Sequence, residues 1–241
     1  MATFVLVHGA WHGGWCWRRL MPFLRDAGHE VYAPTLTGLG ERSHLLSPAI
    51  DLETHARDVT GVLEYEELSG VVLVGHSYGG VVITAVAEAA APRLAHLVYL
   101  DAFLPRDGEC LLDLFPPDAR EATLQRARDQ GEGWYSPPQE EAQPFGVTDP
   151  ADARWVRSKL SAHPVKTWLQ PVRVGDPMAA ALPRTYVNCT GTRWFTAHAE
   201  RAWAEPGWRY REIPTGHDAM ITAPRELASL LLEAAGGATA R

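Results

Sequence analysis

The sequence predicts an α/β fold with a mostly parallel sheet of about six strands, flanked by helices, and a small helical cap. Short apolar runs rich in β-branched residues recur along the chain, as is typical of strands buried on both faces of a parallel sheet. Segments with apolar residues at helical spacing alternate with those runs. A proline-rich stretch, residues 105–183, interrupts the alternation and is too long for one loop.

The elements follow in chain order from these patterns. The predicted strands cover residues 4–7, 30–33, 71–74, 94–100, 185–189 and 210–213. The predicted helices cover residues 15–27, 51–68, 78–91 and 224–235. Asp51 is predicted to cap the second helix, and Pro224 to stand in the first turn of the last.

Length and composition limit the organisation and the class of protein. We predict a core of residues 1–104 and 184–241, with residues 105–183 inserted as a helical lid that holds 11 of the 18 prolines. A net charge of −7 argues against a nucleic-acid binder and against a protein that binds anionic membranes. Three dispersed cysteines predict a reducing compartment and no disulfide framework. The start of the chain reads as a strand and no segment could span a membrane, so we expect a cytoplasmic protein.

The segment Gly75-His76-Ser77-Tyr78-Gly79 matches the pattern G-x-S-x-G. The pattern alone is weak, but here it lies between a predicted strand and a predicted helix. Small flanking residues permit the sharp turn that lifts the Ser77 hydroxyl from the sheet, beside the Tyr78 N–H at the helix start. We therefore interpret Ser77 as a candidate nucleophile, the alternative being an incidental serine in a glycine-rich turn.

A serine nucleophile needs a base, and histidine suits because its pKa lies near neutrality. Of the ten histidines, His217 follows the last predicted strand and precedes the last helix. Loops at the carboxyl ends of parallel strands share one edge of the sheet, so His217 and Ser77 are expected to meet. The alternative is a solvated loop histidine.

The loop after the first strand is predicted to complete the site. Gly9 lets the backbone turn so that the Ala10 N–H joins the Tyr78 N–H in an oxyanion hole. Trp11 is predicted to line the substrate pocket, or else to be a core residue. His8 and His12 are spaced like a metal pair, but they lie on a glycine-rich loop without a carboxylate, so no metal or other cofactor is expected.

Three motifs resemble those of the α/β-hydrolase superfamily, and within it the plant methyl esterases and hydroxynitrile lyases with their bacterial esterase relatives. They are residues 7–15 (VHGAWHGGW), 75–80 (GHSYGG) and 216–220 (GHDAM), with residues 37–42 (TGLGER) also similar. The resemblance covers nearly the whole chain. It implies an α/β-hydrolase fold, a Ser77–His217 pair, oxyanion donors at Ala10 and Tyr78, and a pocket roofed by the cap.

The third member of such a triad orients the histidine and stabilises its cation. The resembling proteins usually carry this acid after the strand at residues 185–189, where this chain has Thr192 and no carboxylate. Asp101 directly follows the strand at residues 94–100, a second location that some α/β-hydrolases use. Because a buried aspartate needs a partner, we predict Asp101 as the acid. The alternative is a turn or cap aspartate at the start of the insertion.

The resulting prediction is a serine hydrolase that cleaves small-molecule carboxylic esters with apolar or aromatic groups. Phe103 and Trp134 are predicted pocket walls, with core packing of the cap as the alternative. A receptor with little turnover, or an enzyme hydrolysing lactones or C–C bonds, remains an alternative on the same scaffold. A lyase is disfavoured because Gly9 and Asp218 stand where the resembling lyases have threonine and lysine. A homodimer remains open.

Overall fold

The computed structural model describes residues 1–138 and 144–238, which form eight strands and ten α-helices. The strands are β1 (Thr3–Val7), β2 (Glu30–Tyr32), β3 (Val71–His76), β4 (Leu94–Leu100), β5 (Tyr135–Ser136), β6 (His163–Pro164), β7 (Arg184–Cys189) and β8 (Trp208–Ile213). The α-helices are α1 (Met21–Asp26), α2 (Leu52–Tyr65), α3 (Gly79–Ala90), α4 (Pro117–Gln130), α5 (Pro150–Arg157), α6 (Lys166–Leu169), α7 (Pro177–Ala180), α8 (Thr196–Ala204), α9 (Ala219–Thr222) and α10 (Pro224–Ala238). Short 3-10 helices lie at Gly14–Arg19, Gly40–Leu45, Ala91–Arg93, Leu111–Leu114 and Pro144–Gly146.

Six strands form one sheet in the order β2-β1-β3-β4-β7-β8, and every neighbouring pair is parallel. The predicted α/β fold is thereby confirmed. Side chains alternate between two cores along each strand, so that Val5 and Val7 of β1 face one core and Phe4 and Leu6 the other. Helices α2 and α3 cover the first face, and α1 and α10 the second.

The helix predicted at residues 15–27 is two shorter elements. A 3-10 helix at Gly14–Arg19 precedes α1, and Pro22 stands in the first turn of α1. Proline lacks an N–H and fits the first turn of a helix better than its interior, so a new helix begins at Met21 and the predicted single helix does not form. Asp51 caps α2 as predicted: its carboxylate accepts the Thr54 N–H at 3.1 Å, and the Thr54 hydroxyl stands 3.4 Å from the Asp51 N–H.

Residues 105–183, predicted as an insertion, contain α4 to α7 and a two-stranded antiparallel pair, β5 and β6. Val165 and Trp168 join the core cluster on one side of the main sheet, while Ala153 and Val156 join the cluster on the other. All three cysteines are buried and free. Within residues 1–138 and 144–238, none of the helices combines the length and hydropathy needed to cross a membrane.

Candidate active site

Ser77 stands at the tip of a tight turn between β3 and α3. Its φ is +55°, a left-handed conformation that L-residues rarely adopt and that is frequent at functional positions. The turn closes only because its flanking residues lack side chains. A Cβ on Gly75 would lie 2.5 Å from the Gly79 carbonyl oxygen, and one on Gly79 would lie 2.7 Å from the Val7 carbonyl oxygen. The sequence thus dictates a strained serine at the edge of the sheet.

Asp101 and His217 form a buried pair beside this turn. The His217 Nδ1–H donates to Asp101 Oδ2 at 2.6 Å, and both side chains are almost fully inaccessible to solvent. The other carboxylate oxygen accepts the Cys189 N–H at 3.3 Å. With Nδ1 committed as a donor, Nε2 of neutral His217 carries the lone pair that can accept a proton.

The backbone of Ser77 is hydrogen-bonded to residues that precede and follow Asp101 in the chain. The Ser77 N–H donates to the Leu100 carbonyl at 3.2 Å, and the Ser77 carbonyl accepts the Phe103 N–H at 3.2 Å. Asp101 itself has a φ of +41°. Ser77 and Asp101 are therefore held by the same pair of strand ends, those of β3 and β4.

The His217 ring is enclosed by aromatic rings. Phe195 is stacked parallel to it with 4.9 Å between ring centroids, and Trp194 contacts it at 5.5 Å. His76 lies 4.3 Å away on centroids, and its Nε2–H donates to the His217 carbonyl at 3.1 Å. Burial holds the pKa of His76 well below its usual value, so His76 is neutral and acts as a hydrogen-bond donor.

The loop after β7, residues 190–195, carries no carboxylate, as its sequence shows. Thr192 instead turns inward, and its N–H approaches the Cys189 carbonyl at 3.4 Å. The same loop supplies Trp194, which is 57% exposed, and Phe195, which is buried. At this location the chain therefore gives the site aromatic surface in place of an acid.

The predicted oxyanion donors lie next to Ser77. A Cβ on Gly9 would stand 2.9 Å from the Ser77 Cβ, so the loop after β1 runs directly against the serine and only glycine fits. Within the described parts of the chain, neither the Ala10 N–H nor the Tyr78 N–H has a protein acceptor. Two free N–H groups beside a serine can stabilise a developing oxyanion.

Trp11 is held by the inserted segment. Its φ is +64°, its indole N–H donates to the Ser136 carbonyl at 3.0 Å, and its main-chain N–H donates to His163 Nδ1 at 3.4 Å. Its ring also contacts Trp168 at 5.3 Å. The strained backbone of the oxyanion loop is thus supported by residues from the insertion.

Two buried histidines that sequence reasoning missed support the oxyanion residues. The His55 Nε2–H donates to the Thr37 carbonyl at 2.9 Å, so its Nδ1 accepts the Tyr78 hydroxyl at 2.9 Å. Burial lowers the pKa of His55 to about 4 and raises that of the Tyr78 phenol. His163 lies edge-on to the Tyr78 ring at 4.8 Å. His55 could have been found from its place on the apolar face of α2, whereas nothing in the insertion marks His163.

Phe103 lies in the aromatic cluster around the site, since its ring contacts Phe195 at 4.7 Å and Phe115 at 5.4 Å. Trp134 does not join this cluster. Its indole N–H donates to Glu132 at 3.3 Å, its ring contacts Tyr135 of β5, and its carbonyl accepts the Val165 N–H at 2.9 Å. The structure therefore places Gly9 and Phe103 against Ser77 and pairs His217 with Asp101, whereas the Trp134 side chain contacts Glu132 and Tyr135.

His8 and His12 point to different partners. The His8 Nδ1–H donates to the Gly9 carbonyl at 2.8 Å and its Nε2 accepts the Leu36 N–H at 3.1 Å, while burial lowers the pKa of His8 to about 3. His12 pairs with Asp218, which is fully buried. Asp218, which stands where the resembling lyases have lysine, is therefore paired with a histidine of the loop after β1.

Comparison with known proteins agrees with this geometry. The profile of the Alpha/beta hydrolase family matches residues 4–230. A carbendazim hydrolyzing esterase of Nocardioides sp. (strain SG-4G) is 43% identical over 96% of this chain and 98% of its own length. Methylesterase 10 of Arabidopsis thaliana is 26% identical over 96% of this chain and 91% of its own. A solved extracellular alpha/beta-hydrolase from a Paenibacillus species superposes with a TM-score of 0.83 at 24% identity, covering 97% of this chain and 99% of its own, which supports the fold. The resemblance predicted from the three motifs is confirmed.

Proposed function

Because the chain belongs to the alpha/beta hydrolase family, we propose that it is a serine esterase whose triad is Ser77, His217 and Asp101. Its relatives with near-complete coverage are an esterase and a methylesterase. The observation that carries the assignment is the buried 2.6 Å contact between His217 Nδ1 and Asp101 Oδ2 beside the strained Ser77 turn. That contact fixes the tautomer in which Nε2 is a base.

The reaction follows from these positions. Ser77 Oγ attacks the ester carbonyl carbon while His217 Nε2 takes the hydroxyl proton, and Asp101 stabilises the imidazolium that forms. The carbonyl oxygen becomes an oxyanion that accepts the Ala10 and Tyr78 N–H groups. As the carbonyl re-forms, the ester C–O bond breaks and His217 returns the proton to the departing alcohol. Water, deprotonated by His217, then releases the acid from Ser77.

The walls of the site favour small apolar or aromatic esters. Phe195, Phe103 and Trp11 supply aromatic surface near the reacting groups, and Gly9 leaves room beside the serine. We propose that residues 105–183 act as a lid, supported by their hydrogen bonds to the loop that carries Trp11. Trp134 is not proposed as a pocket wall, because its side chain contacts Glu132 and Tyr135 rather than the aromatic cluster around His217.

A receptor with little turnover would be favoured if the site lacked a triad acid, as the absence of a carboxylate near Thr192 suggests. Asp101 fills that role in the proposed triad, so a binder without turnover loses its support. Lactone or C–C bond hydrolysis would use the same groups, and a substrate panel separates these reactions from ester cleavage.

The test is release of nitrophenol from a series of p-nitrophenyl esters, with carbendazim as a further substrate. We expect turnover by the wild type, loss of at least about 10³-fold in Ser77→Ala, and full activity in Ser229→Ala, which alters an exposed serine of α10. Turnover that Ser77→Ala retains would reject the proposal.

A further inference from the structure

A buried contact joins the two loops that hold the oxyanion hole and the general base. His12 Nε2 stands 3.1 Å from Asp218 Oδ2, and His12 Nδ1 stands 2.8 Å from the Ala10 carbonyl oxygen. Both side chains are almost completely inaccessible to solvent. Ala10 and His12 lie in the loop after β1, whereas Asp218 directly follows His217, and the contact joins two residues that are 206 positions apart in sequence.

The hydrogen bonds determine the protonation state of His12. A carbonyl oxygen and a carboxylate both accept only, so each ring nitrogen of His12 must donate, and the ring is an imidazolium. Burial alone would favour the neutral ring, but the charge of Asp218 outweighs burial and raises the pKa of His12 above its ordinary value. Trp15 stacks on the ring at 5.3 Å and Phe145 packs against it at 4.7 Å.

Asp218 is itself fixed at the backbone. Its N–H donates to the Phe145 carbonyl at 3.1 Å, and its carbonyl accepts the N–H groups of Ile221 and Thr222 at the start of α9. His76 lies beyond it, with Nε2 3.8 Å from Asp218 Oδ1. A shift of His12 would therefore move the Ala10 peptide at one end and the loop that carries His217 at the other.

We propose that His12 and Asp218 are positioning residues whose hydrogen bonds tie the oxyanion loop to the loop of the general base. The inference rests on the proposed function, since it assigns the Ala10 N–H to the oxyanion and His217 to proton transfer. Neither residue touches the reacting atoms. The tie holds the Ala10 N–H and the His217 ring at the separation that the tetrahedral intermediate requires. Loss of the tie would misplace these groups, and this is expected to lower kcat more than it raises KM.

The test measures how fast a fluorophosphonate labels Ser77, because labelling needs the nucleophile, the base and the oxyanion hole but no ester turnover. We expect His12→Ala and Asp218→Ala each to lower the labelling rate roughly 30- to 100-fold, with a matching fall in kcat and a KM within about threefold. The double variant should be no worse than about threefold below either single variant, because both remove one interaction.

Two further variants separate positioning from stability. His96→Ala removes another fully buried histidine, whose Nε2 contacts Thr185 Oγ1 at 2.8 Å near the start of β4, at the opposite end of the sheet from Ser77. It should lower the melting temperature while its labelling rate stays within about threefold of the wild type. Asp218→Asn keeps the side-chain size and a hydrogen bond to His12, so it should fold and retain labelling within about threefold.

Folded His12→Ala and Asp218→Ala variants that label at the wild-type rate would overturn the tie, as would losses that multiply in the double variant. If Asp218→Asn folds and labels as slowly as Asp218→Ala, the tie is also rejected, because a hydrogen bond to His12 would then not be sufficient to position the two loops. Labelling of Ser77 without ester turnover would reject the proposed function and would leave the labelling comparison decisive for the tie.

Discussion

Replacing Asp101 with asparagine keeps the side-chain size but removes the charge that faces His217. In the wild type, one carboxylate oxygen accepts the His217 Nδ1–H at 2.6 Å and the other accepts the Cys189 N–H at 3.3 Å. If the carboxamide oxygen stays on the Cys189 N–H, its NH₂ group faces His217. Nδ1 must then accept, which moves the ring proton to Nε2. A neutral ring protonated at Nε2 cannot take the proton of Ser77.

The size of the loss follows from burial. Asp101 and His217 are 1% and 2% exposed, so solvent offers little screening of the missing charge. Replacing the aspartate of such a triad with asparagine lowers kcat by up to about 10⁴-fold. At ~1.4 kcal/mol per tenfold in rate, a 10³- to 10⁴-fold loss corresponds to about 4–5.5 kcal/mol of transition-state stabilisation. We therefore expect Asp101→Asn to lower kcat/KM roughly 10³- to 10⁴-fold, mainly through kcat.

The assay is steady-state hydrolysis of a p-nitrophenyl ester, with the unfolding midpoint measured on the same preparations. Asp113→Asn is the control, because Asp113 is a partly exposed carboxylate paired with Arg120 and lies in the insertion. Its kcat/KM should stay within about threefold of the wild type. A folded Asp101→Asn enzyme within about tenfold of the wild type would refute the assignment of the acid.

Three further predictions concern the turn, the aromatic loop and pH. Gly75→Ala should lower activity at least about 100-fold, because the added Cβ would lie 2.5 Å from the Gly79 carbonyl oxygen. Gly61→Ala is the control: no atom lies within 4 Å of the added Cβ, so this change should stabilise α2 by about 0.5–1 kcal/mol. Trp194→Ala should raise KM for aryl esters about tenfold over alkyl esters, because Trp194 contacts the His217 ring. Trp203→Ala removes an exposed tryptophan of α8 (73% exposed, against 57% for Trp194) and should not have this effect. Stability in urea should fall below about pH 6.5. Buried His8, whose pKa is lowered to about 3, is neutral in the fold, while the unfolded chain binds the proton.

Each of these has a plain contradicting result. A Gly75→Ala enzyme with wild-type activity would mean that the turn tolerates a side chain. Equal effects of Trp194→Ala and Trp203→Ala would remove the aromatic loop from substrate binding. A free energy of unfolding that is the same at about pH 7.5 and about pH 5.5 would contradict the burial of neutral histidines.

Local sequence patterns predict the strands of the sheet, because strands buried on both faces carry continuous apolar runs. They also predict which loops lie at the carboxyl ends of those strands. The same reasoning predicts Ser77 and Asp101, which directly follow β3 and β4, and His217, which lies in the loop after β8. It fails where local rules compete. The helix predicted at residues 15–27 splits at Pro22, and β8 begins two residues earlier than predicted because pairing with β7 extends it to Trp208.

The supporting residues of the site could not be predicted in the same way. His12 and Asp218 lie far apart in sequence, and only the folded chain shows that each neutralises the other. His163 and Trp168 belong to an insertion whose prolines and short helices carry no clear periodicity. Trp134 looked like a pocket residue from composition alone, yet the structure directs its indole N–H to Glu132. Contacts between distant segments decide these positions, and periodicity does not report them.

The most direct test of the account is the mass of the protein quenched in the first moments of p-nitrophenyl acetate turnover. The account predicts one added acetyl group per chain, located on Ser77 by peptide mapping and absent from Ser77→Ala. It also predicts that Asp101→Asn forms this adduct more slowly without changing its site. Nitrophenol release with no acetyl group on Ser77, or with the group on another residue, would contradict catalysis through a Ser77 acyl-enzyme.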